Sequence, residues 1–152
     1  MGCFYSEEKC GLPRDYAKAL ELYHRAAELG NATAHCNIGA AYINGEGTEV
    51  DQKKAIHYWE LAAMGGDEDA RHNLGAMECN AGNHNRALRH FMIAVKDGGN
   101  DSLKTIREMV TFGNATKDDY NAALITYQAY LDEIKSDQRD KAAAEDEDYK
   151  YY

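Results

Sequence analysis

Along most of the chain, apolar residues return every three or four positions, which is the spacing of one helix face and not the alternation of a strand. Ala55, Tyr58, Trp59, Ala62 and Ala63 step by 3, 1, 3 and 1, so this stretch predicts an amphipathic helix with a small-residue stripe. Alanine in such a stripe lets a neighbouring helix come close, and the central aromatic supplies most of the area to be buried. A second kind of segment is shorter: Ala34, Ile38, Gly39 and Tyr42, then Ala70, Leu74 and Gly75. Each places a glycine inside a helix, at a cost of roughly 1 kcal/mol against alanine. That cost, met twice at the same place, predicts that another helix crosses there at close range.

The two kinds of segment alternate as copies of one unit. Gly11-Leu-Pro-Arg-Asp-Tyr-Ala-Lys-Ala19 aligns with Gly47-Thr-Glu-Val-Asp-Gln-Lys-Lys-Ala55 at an offset of 36 residues. At the same offset Leu22, Tyr23, Ala26, Ala27 and Gly30 match Tyr58, Trp59, Ala62, Ala63 and Gly66, while Ala34, Asn37, Ile38 and Gly39 match Ala70, Asn73, Leu74 and Gly75. A third copy begins at Asn85-Arg-Ala87, 32 residues on, and a fourth at Asp119-Tyr-Asn-Ala-Ala123, another 36 on. Tyr23, Trp59, Phe91 and Tyr127 hold the aromatic centre in turn. Asp15, Asp51 and Asp119 are the expected N-caps, and Gly30, Gly65, Gly66, Gly98 and Gly99 the expected stops.

The reading is an all-α stack of antiparallel helix pairs, about four repeats in one solenoid. A partial first repeat falls at 1–30, full repeats at 31–66, 67–98 and 99–141, and an acidic aromatic tail at 142–152. Met1, Gly2 and Tyr5 stand where Ile38, Gly39 and Tyr42 stand, so the chain begins inside a repeat. The open hairpin there offers a face for homo-oligomer formation. In the fourth copy Arg107 and Val110 replace the glycine and the tyrosine. The last helix is expected to bury Tyr120, Leu124, Tyr127, Leu131 and Ile134.

Read from Ala34 to Gly66, the pattern Ala-x-x-x-(Ile/Leu)-Gly-x-x-Tyr-x-x-Gly-x-Gly-x-x-x-Asp-x-x-Lys-Ala-x-x-x-Trp-x-x-Ala-Ala-x-x-Gly resembles the Sel-one-like repeat (SLR) family, relatives of the tetratricopeptide repeat. The resemblance covers roughly residues 2 to 135. It implies a right-handed α-α superhelix and the role of a non-enzymatic adaptor that holds a protein or peptide, with the shorter helices lining a concave surface. The tetratricopeptide likeness places Thr33, Cys36, Asn37, Ala40 and Asn44, then Asp69, His72, Asn73, Ala76 and Asn80, then Asp101, Lys104 and Glu108 on that surface. Asn37 and Asn73 are the sharpest pair, since an amide both donates and accepts and can grip an extended backbone. Bonding within their own hairpin is an equal alternative. Stacking of copies through the open first hairpin is the second functional reading.

Charge and composition narrow the partner. The chain of 152 residues has 26 acidic and 17 basic side chains and a net charge of -9, which repels phosphate backbones and anionic lipid and favours a basic partner. Neither nucleic acid nor membrane is expected as a partner. Four cysteines (Cys3, Cys10, Cys36, Cys79) fit no zinc spacing and read as free thiols, and the first residues carry no secretory pattern, so the cytoplasm is the expected place. Asn31-Ala-Thr33, Asn100-Asp-Ser102 and Asn114-Ala-Thr116 keep a lumenal setting open. No nucleophile elbow, phosphate loop or metalloprotease helix is present, and Gly45-Glu-Gly47 reads as a turn. Neither metal nor cofactor is expected, because His72, Cys79 and Cys36 lie in separate turns. His90, on the apolar stripe, is expected to be a satisfied core or boundary histidine.

Overall fold

The computed structural model describes residues 13–149. These form seven helices: α1 (Pro13–Glu28), α2 (Ala32–Asn44), α3 (Gln52–Met64), α4 (Glu68–Asn80), α5 (His84–Lys96), α6 (Asn100–Thr111) and α7 (Lys117–Tyr149). Among the described residues there is no strand. Each helix packs on its neighbours in the chain, and α7 also reaches α5, which is the connectivity of a helical-repeat solenoid.

The in-helix glycines mark the crossings. A Cβ on Gly39 would lie 2.5 Å from Trp59 Cδ1 and Nε1, and one on Gly75 would lie 2.6 Å from Phe91 Cε1. Each shorter helix therefore seats the aromatic of the longer helix in its own pair. Trp59 is 5% exposed, and its indole N–H donates to the Cys36 carbonyl at 3.1 Å, which removes the penalty of burying that donor. Trp59 then packs onward with Ala62, Ala63, Ala70 and Leu74, so the core runs into the next pair. A second cluster joins Ala87, Phe91, Val95, Leu103, Ile106, Met109 and Ala123.

The turns repeat as well. After α1, α3 and α5, the N–H of Asn31, Asp67 and Gly99 bonds back to the carbonyl of Ala26, Ala62 and Ala94, with a left-handed Gly30, Gly66 or Gly98 just before it. Gly65 and Gly99 are not left-handed. Asp51 caps α3 as expected, accepting from the Lys54 N–H, while Asn31 and Asp67 do the same for α2 and α4. Asp15 lies inside the first turn of α1, placed there by Pro13 at the helix start. Asp119 is the third residue of a reciprocal cap: its carboxylate accepts from the Thr116 N–H, and the Thr116 hydroxyl accepts from the Asp119 N–H.

The C-terminal region departs from expectation in three ways. Among the residues of α7 with described burial, Ala123 is the fully buried one, whereas Leu124 is exposed and Tyr120, Tyr127, Leu131 and Ile134 are half-buried, because among the described residues no later helix covers the outer side. The helix also passes the expected end at Lys141 and runs to Tyr149, through an alanine-rich stretch without proline or glycine. Tyr130 lies against Gly98 and holds α7 over the α5–α6 turn. Elsewhere, Leu22 is 61% exposed despite its place on the stripe. His90 is half-buried with Nδ1 unpartnered, not satisfied as expected; burial and the nearby Arg71 push its pKa down. The expected start at Met1, Gly2 and Tyr5 lies outside the described residues.

Candidate functional site

The shorter helices α2, α4 and α6 carry all the positions expected to face a ligand. Six of the thirteen expected positions meet in one place. Asp69, His72 and Asn73 on α4 face Asp101, Lys104 and Glu108 on α6 across a cleft of about 490 Å³, with Thr105 completing its wall. On α4, His72 and Asn73 stand three and four positions after Asp69, and on α6 the residues step by three and four, the spacing that puts side chains on one face. A smaller pocket of about 150 Å³ shares Asp69, His72 and Asp101 and continues between Glu68 and the Gly98-Gly99-Asn100 turn to Ser102.

The other candidates are placed differently. Asn37 lines a separate cleft of about 350 Å³ with Tyr16, Leu20 and Tyr23 of α1. Thr33, Asn44 and Asn80 are exposed and line neither space. Cys36 does not face the groove but is buried, 7% exposed, beneath Trp59 and beside Asn73. Asn73 Nδ2 makes a long contact of 3.9 Å to the Cys36 sulfur, which ties α4 to α2 across the repeat boundary and leaves the amide oxygen free of that bond.

His72 is the hinge of the site. Its Nδ1 shares a 2.8 Å hydrogen bond with Ser102 Oγ, and its ring lies 5.2 Å from that of Phe91. Burial pushes its pKa below the ordinary histidine value, against the pull of Asp101 and Asp69. Ser102 is 1% exposed and stands in register with Ala34 and Ala70. A hydroxyl where the repeat otherwise has alanine is the signal that could have revealed this contact from the sequence.

Electrostatically the site is short of cations. Burial, then Asp67, raises the pKa of Asp69; burial, then Asp69, Asp67, Asp97 and Asp101, raises that of Glu68. Among the described residues the two ion pairs, Arg25 with Glu21 and Arg86 with Glu78, lie elsewhere. Cys36 is pushed up to about 12, by burial first and then by Asp67, so it stays a thiol. No group of three His, Cys, Asp or Glu among the described residues is placed to hold a metal ion. No described helix is long and apolar enough to cross a membrane.

The comparisons agree with the solenoid architecture. The Sel1 repeat matches residues 1–31 and 32–67. The solved Sel1 repeat protein from Oxalobacter formigenes superposes with a TM-score of 0.64 at 27% identity, over 80% of this chain and 54% of that one. Chitin synthase regulatory factor 4 of Schizosaccharomyces pombe is 29% identical over 70% of this chain and 17% of its own length. The ERAD-associated E3 ubiquitin-protein ligase component HRD3B of Arabidopsis thaliana is 34% identical over 59% of this chain and 14% of its own length. The chain thus spans less than a fifth of either relative.

Proposed function

Because the chain belongs to the Sel1-repeat proteins and is built as an α-solenoid, we propose that it is a non-enzymatic protein-interaction scaffold that holds an extended segment of a partner on the face formed by α2, α4 and α6. Sel1-repeat proteins generally serve as interaction scaffolds. The observation that carries the finer reading is the α4–α6 cleft, where seven side chains from two repeats meet around open space. Its walls offer an amide, a hydroxyl, an ammonium and three carboxylates, which is the equipment for gripping a backbone and reading side chains. The two relatives are named as a component of a larger enzyme and as a regulatory factor, and both names fit an accessory role.

The test is affinity capture from cell lysate with three versions of the chain. The wild type and a variant of the outer surface, Lys53→Glu, are expected to retain the same protein. Asn73→Ala combined with Lys104→Glu is expected to lose it. Equal retention by all three would place the contact outside the cleft.

Stacking between copies is the second reading, and the exposed Leu124 and Ile125 on the uncovered side of α7 favour it. Molar mass that rises with concentration in light scattering, and falls back with Ile125→Glu, would support that reading.

A further inference from the structure

The charges of the longer helices are sorted by helix and by side. α5 carries Arg86, Arg89 and Lys96 and no carboxylate, in a chain whose net charge is -9. Steps of 3, 4 and 3 through Arg86, Arg89, Ile93 and Lys96 put these four exposed side chains in one outward stripe, away from the buried Ala87, Phe91 and Val95. On α7 the sign is reversed. Glu133, Asp137 and Asp140 step by 4 and 3 along an exposed stripe that continues to Ala144, while Lys135 and Arg139 stand on the other side of the helix. Glu133 with Asp137, and Lys135 with Arg139, are like charges at i, i+4, each pair unfavourable for the helix that carries it. A helix built only for its own stability pairs opposite charges at that spacing. Among the described residues the one ion pair in either stripe is the loose 3.9 Å contact of Arg86 with Glu78.

We infer that the basic stripe of α5 docks the acidic side of α7 from a second copy of this chain. The signs are complementary, and the lengths agree. At 1.5 Å per residue, Arg86 to Lys96 spans about 15 Å and Glu133 to Ala144 about 17 Å. The contact cannot close within one chain. α7 is a single unbroken helix that packs on the α5–α6 core through Ala123 and Tyr127, and Tyr130 stands against Gly98, just past the end of α5. Residues 133–144 therefore run on beyond α5 and cannot turn back onto it, whereas those of another copy can reach it. Each copy supplies both stripes, so two copies that exchange α7 in this way form a closed, two-fold dimer. The exposed Ile93 lies within the basic stripe and is covered in the same contact. This surface uses neither the α4–α6 cleft nor Leu124 and Ile125, so it goes beyond both readings above.

The test is light scattering of the full chain over a range of concentrations at about 20 and about 500 mM salt, between which the Debye length falls from about 20 to about 4 Å. At low salt the wild type is expected to pass from the mass of one chain to that of two, with a dissociation constant about tenfold or more weaker at high salt. Arg86→Glu with Arg89→Glu, and separately Glu133→Lys with Asp137→Lys, are each expected to stay at the mass of one chain, because like charges then face each other. Mixed together, the two variants are expected to pair, since the two reversed stripes attract each other and so do the two unreversed ones. All four positions are exposed, and the helical circular dichroism of each variant checks that the fold is kept. A wild type that stays at one mass, association indifferent to both reversals, or variants that do not pair when mixed would overturn the inference. Association that is lost with Ile125→Glu but kept in both reversals would overturn it too, in favour of the stacking reading. Capture on the α4–α6 cleft is read separately, so the scaffold reading stands or falls on its own result.

Discussion

Two helix pairs built from the same repeat, α2–α3 and α6–α7, differ at the register position of the in-helix glycine, and that difference bears on how they pack. In α2 the position is Gly39, and Trp59 of α3 sits directly on its backbone, nearly excluded from solvent. In α6 it is Arg107, exposed, and the corresponding aromatic of α7, Tyr127, is only half-buried. With the seat gone, α7 makes its tightest contact through Ala123 and Tyr130, touches α5 as well as α6, and runs far beyond its partners. The α2–α3 and α4–α5 pairs are locked by a glycine and an aromatic, whereas α7 packs on α6 through Ala123 and half-buried tyrosines against Leu103, Ile106 and Met109, behind a capped helix start.

The comparison can be broken at several points. The largest effect is expected for Trp59→Ala, which removes a buried aromatic and leaves the Cys36 carbonyl without its indole donor, at about 3 to 5 kcal/mol in urea unfolding. Gly39→Ala, which only adds a methyl group where Trp59 already stands, should cost about 1 to 3 kcal/mol, with the helix-propensity gain offset by the clash. An equal or greater stability than wild type would show that Trp59 is not seated as described. At the terminal pair, Thr116→Ala should cost about 1 kcal/mol through the lost cap, measured the same way. Arg107→Ala should change stability by less than about 0.5 kcal/mol, since that side chain is exposed.

The dependence on pH is smaller and carries two opposing signs. His72 has a depressed pKa in the folded chain, so the unfolded chain gains its proton first and stability falls as pH drops below the ordinary histidine value of about 6.5. Glu68 and Asp69 have raised values, so the folded chain gains protons first and their contribution improves as pH drops towards the ordinary carboxylate range. Thermal unfolding followed from pH 7 down to pH 4 should show His72→Gln removing the first loss and Asp69→Asn removing the later gain. A profile unchanged in both variants would contradict the burial assigned to this cleft.

Most of the fold was legible because the repeat writes each packing rule more than once. Gly39 and Gly75 announce the close crossings, and the alanine stripe with Trp59 or Phe91 announces what fills them. The extent of α7 was not legible, since helix ends are set by the absence of a stop as much as by a signal, and residues 142–149 carry none. Leu124 and Leu22 were misjudged because periodicity identifies an apolar face but does not tell whether another helix is there to cover it. At the site, the face of α4 and α6 could be read by likeness to related repeats. What could not be read was that Asn37 belongs to a different cleft and that Cys36 turns inward, because both depend on how far one repeat rotates against the next. Ser102 lay open to sequence reading, as the polar exception in an alanine register.

The most direct test of the scaffold account is to place a photo-crosslinking residue at position 108, on the rim of the α4–α6 cleft, or at position 53, on the outer surface of α3, and to irradiate each form in lysate. The account predicts that a partner protein is trapped from position 108, and that unlabelled wild-type chain suppresses the trapping whereas the Asn73→Ala, Lys104→Glu variant does not. Trapping from position 53 alone would contradict it, because the partner would then be held on the opposite face of the solenoid.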